Sequence, residues 1–340
     1  MYLIAFSCFQ FISIAATSQT IKVTSVPSGQ KVVITANNKP FTELIYPDSL
    51  EKPVLYPIYA ADGELITRGF PLQPRSNEPT DHPHHIGLWL NYENVNGLDF
   101  WNNSSAISAD KKSSYGWIKL TKIIETKSGD TGSLTYKAVW QDIKQNALLE
   151  ENTNFHFIAQ NNLRIIDRVT TLTAVQDVTM PDVKDGFLGL RVTHELELPS
   201  KDDRVFTDDK GNLTKVKAVD DKSVSGNYIT SRGHKGDSAW STRGEWCMLY
   251  GKKGIDSISI AIIDHPKNIG YPTYWHARGY GLFAANPLGQ KIFSNGKEVL
   301  NYSLKKGSAV TFRYRVVISS GDKILPVETV KTLAKEFADQ

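Results

Sequence analysis

The sequence is poor in cysteine, and it lacks both long basic blocks and long apolar runs beyond its first 18 residues. Cys8 and Cys247 are the only two cysteines among 340 residues, which excludes a disulfide framework and a cysteine-rich zinc finger. The 39 basic and 36 acidic side chains leave a net charge of +3, so a protein that binds nucleic acid electrostatically is disfavoured. Since a membrane-spanning helix needs about 20 apolar residues, we expect no membrane span.

Sequence motifs for nucleotide binding and for ordinary esterase catalysis are also missing. No phosphate-binding loop of the form G-x-x-x-x-G-K-[ST] occurs, and Gly279 and Gly281 have no third glycine at the dinucleotide-binding spacing. No G-x-S-x-G segment is present either. We therefore expect no organic cofactor.

The first 18 residues differ from the rest of the chain. Met1–Ala16 carries no charged side chain, and small residues follow it. This pattern predicts a signal peptide over residues 1–18, with cleavage near Ser18 and a single mature domain over residues 19–340. No basic residue precedes Lys22, so the usual positive start of a signal peptide is missing, and a short buried strand or helix is the alternative. We expect an exported, periplasmic protein.

Alternation of apolar and polar side chains is the dominant pattern along the mature chain. Apolar residues occupy every second position in Leu134–Gln141 and in Val310–Ile318, as in strands with one face in a core. The one clear helical pattern follows Pro326, and no strand–helix alternation is present. The sequence predicts an all-β fold, a large antiparallel β-sandwich with one C-terminal helix. Further expected strands are Ile21–Val26, Lys31–Ala36, Val54–Ala60, Trp117–Glu125, Asn152–Ile158, Leu163–Thr173, Phe187–Leu198, Trp246–Tyr250 and Ile255–Ile263.

A histidine-rich motif begins near residue 80. Thr80–Leu90 contains three of the eight histidines within four positions. On an extended chain His82 and His84 face one way and His85 faces the other, so two imidazoles converge while the third packs or orients. Asn96–Trp101 closes the motif with turn-forming, acidic and aromatic residues.

A second motif lies at Tyr271–Gly281. Tyr274, His276 and Arg278 alternate along an expected strand, so a phenol, an imidazole and a guanidinium share one face. Together these groups supply proton transfer and a fixed positive charge. A long charged segment, Ser200–Lys222, has little pattern and is interpreted as an insertion.

Together the segments HPHHIGLWLNYENVNGLDFW and YPTYWHARGYGLFAANPLG resemble a bacterial family labelled "methane oxygenase PmoA" and otherwise described as a domain of unknown function. The resemblance covers roughly Pro53 to Ser320. It implies a β-sandwich similar to that of galactose mutarotase, a fold that carries many carbohydrate-active enzymes, and it implies an exported protein with a sugar-related role. The methane-oxygenase label implies a copper site in a membrane complex, which a chain without membrane spans does not support.

The first functional hypothesis is a carbohydrate-active enzyme with a saccharide on a concave face of the sandwich. His84 or His276 is the expected base or acid, with His85 as a further catalytic candidate. Tyr274 is the expected proton donor, and Arg278 neutralises negative charge. β-Elimination, hydrolysis and epimerisation all use such a set. The candidate substrate contacts are Trp89, Asn96, Asp99, Trp101, Trp275 and Asn286.

Two alternatives stay open at this point. In the first, His82, His84 and His276, with Asp81 or Asp99, hold a divalent metal that activates water or polarises a carbonyl. In the second, the protein is a non-catalytic glycan-binding module, which needs the aromatic residues and asparagines but not the histidines.

The two motifs are expected to meet in one pocket, although they lie far apart in the sequence. The histidine motif lacks a phenolic or cationic partner of its own, and the Tyr274–Arg278 face lacks a second imidazole. Brought together, they supply paired proton-transfer groups beside a cation.

Overall fold

The structure is a computed structural model that describes residues 18–201, 203–207, 213–216 and 222–340. The expected signal segment lies outside these residues except for Ser18, which forms a β-bridge with Gln160. Signal-peptide cleavage and export therefore remain predictions. Part of the expected insertion also lies outside the described residues.

The described residues form mostly strands. In chain order these are β1 Ile21–Val26, β2 Lys31–Ala36, β3 Lys39–Ile45, β4 Val54–Ile58, β5 Glu78–Pro79, β6 Leu88–Tyr92, β7 Trp117–Lys127, β8 Thr131–Gln141, β9 Ala147–Gln160, β10 Leu163–Ala174, β11 Val178–Met180, β12 Gly186–Arg191, β13 Arg204–Thr207, β14 Leu213–Val216, β15 Asn227–Thr230, β16 Trp246–Lys253, β17 Asp256–Asp264, β18 Tyr274–Ala277, β19 Leu282–Asn286, β20 Tyr302–Leu304 and β21 Ala309–Gly321. The α-helices are α1 Gln290–Phe293 and α2 Val327–Ala338. Short 3-10 segments lie at Pro27–Gly29, Ala109–Ser114, His194–Leu196 and Gly236–Ala239.

Two eight-stranded sheets dominate the fold. The first has the order β1-β2-β3-β4-β6-β12-β19-β18, and the second has the order β15-β16-β17-β21-β10-β9-β8-β7. Neighbouring strands run antiparallel in both sheets. Two small sheets, β11-β20 and β14-β13-β5, are added at the periphery. The predicted large antiparallel β-sandwich is therefore confirmed.

The core lies between the two large sheets. Leu90 and Trp275 from the first sheet and Trp140 and Phe155 from the second belong to one buried apolar cluster. These residues occupy inward-facing positions, which alternate with outward-facing ones along each strand, as the period of two predicts. The opposite positions of each strand face outward.

Glu151 and Arg168 form an ion pair inside this core. Nη2 of Arg168 lies 3.0 Å from Oε1 of Glu151, and both side chains are buried. The same carboxylate accepts hydrogen bonds from the Tyr136 hydroxyl, the Thr153 hydroxyl and Nε1 of Trp140. The network ties β8, β9 and β10 together with its polar atoms satisfied.

Helix α2 packs on the outer face of the second sheet. Val330 and Phe337 belong to a buried cluster with Trp246 and Met248. The helix predicted after Pro326 is therefore confirmed. No helix in the described ranges is long and apolar enough to cross a membrane. The outer face of the first sheet carries the histidine-rich motif.

Candidate functional site

Four residues on neighbouring strands form a row across the outer face of the first sheet. His276 on β18 pairs with Ala284 on β19. Gly189 on β12 pairs with Ala284 on one side and with Trp89 on the other. A Cβ at Gly189 would lie 2.5 Å from the Trp89 ring, so only glycine allows the indole to lie across this strand. The row forms a floor beneath the histidines.

Two buried arginines anchor the histidine loop, which we define as residues 79–85. Arg68 donates hydrogen bonds to the backbone carbonyls of Asp81, at 2.7 Å, and His82, at 2.9 Å. Arg68 and Arg191 also each donate to Oδ1 of Asp81 at 2.8 Å. Burial and the neighbouring Arg191 lower the pKa of Arg68 to about 9, so the guanidinium stays charged at neutral pH. The loop is therefore fixed by charge-assisted hydrogen bonds.

Asp81 and His82 form a hydrogen-bonded pair, with Oδ2 and Nδ1 2.5 Å apart. Burial opposes ionisation of Asp81, but the hydrogen bond from His82 and the guanidinium groups of Arg191 and Arg68 lower the pKa of this carboxyl well below its usual range. A carboxylate that accepts the Nδ1–H leaves Nε2 of the imidazole as the proton acceptor. The His82 side chain is 40% exposed, so its ring is open to a ligand.

Tyr280, from the hairpin between β18 and β19, joins the two motifs. The His82 ring is parallel within 2° to the rings of His85 and Tyr280, at centroid distances of 4.8 and 4.9 Å. Burial raises the pKa of Tyr280 to about 12, against the opposing effect of Arg191 and Arg278. The motifs thus meet through a protonated phenol.

His84 and His85 stay neutral. Burial, followed by the charge of Lys52, lowers the pKa of His84 to about 2. His85 is 2% exposed, and its pKa is also lowered by burial and by His84. Its ring stacks on Trp89 at 5.3 Å, and Nδ1 lies 3.4 Å from Nη1 of Arg191. His85 therefore acts as packing beneath the exposed His82.

His276 and Tyr274 share the outer face with Arg278, as predicted, but helix α1 covers them. Phe293 stacks on Tyr274 at 5.5 Å and meets the His276 ring edge-on at 5.8 Å. Nδ1 of His276 lies 3.7 Å from Asp185, and burial with nearby cations lowers the pKa of this histidine to about 3. Tyr280, rather than Tyr274, is the phenol that contacts the histidines.

The three tryptophans expected to contact a sugar are buried. Trp275 lies in the core between the sheets, so its side chain points away from the site, and we correct its assignment as a pocket wall. Trp89 and Trp101 are at most 1% exposed and pack beneath His85. They support the histidine loop and present no open face.

The two asparagines among the expected substrate contacts instead hold the backbone. Asn96 bonds to Thr179 and to the carbonyl of Asp177. The Asn286 amide donates to the carbonyls of Val183 and Lys184. The assignment of Asn286 is corrected because this side chain is fully buried. Asn96 is exposed, and its contact with a substrate stays a prediction.

Asp99 is partly exposed, and burial raises the pKa of its carboxyl although Asn102 donates two hydrogen bonds to it.

Lys52 is a further charged group at the site, and nothing in the sequence marks it. Nζ of Lys52 lies 2.8 Å from the carbonyl of His84 and 5.5 Å from the centre of the Trp89 ring. Burial lowers the pKa of Lys52 to about 8, against the effect of Glu51 and Asp99.

Four residues that form the site were not among the candidates from the sequence. They are Arg68, Arg191, Lys52 and Tyr280. A signal existed for Arg191, a lone charge in the apolar run of β12. A buried charge needs a partner, so this residue marks a polar cluster. The other three stand in ordinary sequence surroundings, and only the tertiary structure brings them together.

A cavity of about 880 Å³ opens beside the histidine loop. Asp81 and Tyr280, which both contact His82, form part of its wall, together with Trp240, Asp237 and Arg278. A concave, partly aromatic space of this size accommodates one or two sugar rings.

The metal alternative finds no assembled site in the ranges that the structure describes. No group of three His, Cys, Asp or Glu side chains there is placed to hold a metal ion. His82, His84 and His276 are therefore not arranged as a ligand set. Nδ1 of His82 is already engaged by Asp81.

A protein-family model matches residues 31–334, which is most of the chain. The chain belongs to DUF6807, a family of unknown function. The match supplies this name alone, so the methane-oxygenase label of the resemblance is not shown. A comparison with curated proteins gives no match for this DUF6807 chain.

Several solved structures are similar to this DUF6807 protein at low identity. The GH36 alpha-galactosidase AgaB from Geobacillus stearothermophilus has a TM-score of 0.38 and 11% identity, covering 89% of this chain and 41% of its own. A beta-arabinopyranosidase has a TM-score of 0.32 and 12% identity, with 90% and 39% covered. The Slr1438 protein from Synechocystis sp. PCC 6803 has a TM-score of 0.31 and 10% identity, with 95% and 100% covered. The chain thus spans less than half of the galactosidase. Similarities of this size assign no function.

Proposed function

We propose that this DUF6807 protein is an exported enzyme that acts on a saccharide by acid–base chemistry, with His82 as the proton-transfer group. The observation that supports the proposal is the Asp81–His82 pair, whose carboxylate lines a cavity together with Tyr280 and Arg278. A carboxylate-oriented imidazole is suited to general-base catalysis at neutral pH. In this proposal the expected role of His84 passes to its neighbour His82, because burial and nearby cations lower the pKa of His84 to about 2.

His82 and the cavity-lining Tyr280 and Arg278 provide the groups that a β-elimination needs. Nε2 of His82 removes a proton from the carbon next to a carbonyl or carboxylate, and Arg278 stabilises the negative charge that develops. The C–O bond to the leaving group then breaks, and the Tyr280 hydroxyl gives its proton to the departing oxygen. Proton return from His82 to Tyr280 through solvent restores both groups. Hydrolysis, with water activated by His82, and epimerisation use the same residues.

An activity screen separates these reaction classes. The mature chain is incubated with glycans and with keto glycosides, and both new reducing ends and ultraviolet absorbance are followed. Reducing ends without absorbance indicate hydrolysis, and both signals together indicate elimination. Export is part of the proposal and rests on residues 1–18; the intact mass of the secreted chain checks cleavage near Ser18.

The variant His82→Gln tests the role of the imidazole directly. We expect kcat/KM to fall by about 10²-fold or more, since a positioned general base contributes about that factor. The midpoint of urea unfolding should change little, because the side chain is 40% exposed. The matched control is His156→Gln, on β9 in the opposite sheet, which should keep full activity. Activity of His82→Gln within about twofold of the wild type would remove His82 from the mechanism.

A further inference from the structure

Arg278 differs from the other arginines around the site because its guanidinium has no acidic partner among the residues that the structure describes. Arg68 and Arg191 both bond to Asp81, and Arg243 pairs with Glu298. For Arg278, by contrast, no side-chain hydrogen bond or ion pair occurs with any residue that the structure describes. The residue is partly exposed and lines the cavity.

The Arg278 guanidinium is nevertheless held in place. Its central carbon lies 5.4 Å from the centre of the Trp240 ring and 5.7 Å from that of Tyr280. Cation–π contacts with two aromatic rings restrict the side chain without satisfying its N–H donors. The backbone N–H groups of Gly279 and Tyr280 also find no acceptor among the described residues. The hairpin tip therefore presents several free donors beside one fixed cation.

The cavity wall also carries a negatively charged group that is not paired with Arg278. Asp237 lies exposed on the same cavity wall and forms no ion pair with Arg278. Its carboxylate is an acceptor for hydroxyl groups, whereas the guanidinium binds a carboxylate through two parallel hydrogen bonds. A ligand that matches both groups carries a carboxylate and several hydroxyls, which is the chemistry of a sugar acid.

We infer that the cavity takes an acidic saccharide, a hexuronic acid or its glycoside, whose carboxylate binds Arg278 while its hydroxyls donate to Asp237. The inference deepens the proposed function and rests on it for the saccharide itself. A uronic acid also brings a carboxylate next to a carbon-bound hydrogen, the arrangement from which His82 removes a proton in the elimination described above.

Binding is measured by isothermal titration calorimetry with stereochemically matched pairs, glucuronic acid with glucose and galacturonic acid with galactose, at fixed ionic strength. We expect the wild type to bind at least one acid about tenfold more tightly than its neutral partner, and Arg278→Gln to lose this difference. Arg232→Gln, which removes an exposed arginine outside the cavity lining, should keep the difference. Equal binding of acid and neutral sugar, no binding of either acid, or a preference that survives in Arg278→Gln would overturn the inference.

Two further arms keep the test decisive. Should Arg278→Gln fail to fold, the salt dependence of wild-type binding replaces it, because a charge pair at a partly exposed site weakens as ionic strength rises. Acetate that binds as tightly as the uronic acid would reduce the site to a general anion site and overturn the saccharide part. Acid binding without turnover keeps the inference and contradicts the proposed enzyme. Turnover of neutral saccharides without a preference for the acid contradicts the inference and keeps the proposed enzyme.

Discussion

Three histidines within four residues occupy three different environments. His82 is 40% exposed and bonded to Asp81, and His85 is 2% exposed between aromatic rings. His84 lies near Lys52, and its pKa is lowered to about 2 by burial and by this charge. Residue spacing sets His85 apart from the other two but gives His82 and His84 the same chemistry. Burial and partners separate His82, the proposed proton-transfer group, from two neutral supporting rings.

His276 is expected to make the protein sensitive to acid. Its pKa is about 3 in the fold because of burial, against about 6.5 in an unfolded chain. Between these values the unfolded chain binds a proton that the folded chain does not, so the free energy of unfolding falls as the pH is lowered through this window. The free energy of unfolding contributed by His276 changes by at most about 1.4 kcal/mol per pH unit.

Comparison with His276→Gln isolates this contribution. Burial raises the pKa of Asp264 to about 7, and this group changes stability in the opposite direction over much of the same range. The measurement is therefore the difference between the urea-unfolding free energies of wild type and variant at several pH values. We expect the wild type to lose stability relative to the variant below about pH 6.5. Parallel curves would show that His276 is not buried as a neutral ring.

At the scale of the elements, the hydrogen-bond network around Glu151 links β8, β9 and β10. The stability of the protein is expected to be sensitive to truncation of this one side chain. Glu151→Ala leaves Arg168 buried without its partner, which costs about 3–5 kcal/mol of unfolding free energy. Replacing both residues by leucine removes both charges and should cost less, although the hydroxyls of Tyr136 and Thr153 lose their acceptor. Urea unfolding of both variants checks the order. A double variant less stable than the single one would contradict this account.

The sequence predicted strands with alternating side chains but not all elements of the site. The pattern predicts Leu163–Thr173 and the structure has Leu163–Ala174, because Ile166, Leu172 and Ala174 alternate toward the core, although the buried Arg168 shares that face. Phe187–Leu198 was expected as one strand, yet β12 ends at Arg191 and a 3-10 turn follows. Apolar runs do not show where a strand ends when both faces are covered.

The candidate site was predictable only in part, for a related reason. The motifs located His82 and Arg278 because rare polar residues cluster there. Tyr280 and Lys52 reach the histidines through a hairpin and a strand pairing, and such long-range register is not encoded in local spacing. The tryptophans were misassigned because an indole looks the same in sequence whether it packs inward or outward.

At the scale of the whole molecule, helix α2 and the candidate site lie on opposite outer faces of the sandwich. Phe337→Ala is expected to lower the free energy of unfolding by about 3–5 kcal/mol, since it empties the contact between α2 and the second sheet. Affinity for a saccharide should not change under conditions where the variant is folded. Calorimetric binding and urea unfolding of the same preparation check both statements. A parallel loss of affinity would show that the two faces are coupled.

The three-stranded sheet β14-β13-β5 offers a route to engineering. Its attachment to β5 consists of two residue pairs, Phe206 with Pro79 and Thr207 with Glu78, at the start of the histidine loop. Lys201 and Val205, at the base of this hairpin, line the cavity. Because the hairpin belongs to neither large sheet, its length and composition can be exchanged without disturbing the core. If the proposed function holds, exchange of this hairpin should change which sizes of saccharide the protein accepts while the Asp81–His82 pair stays in place.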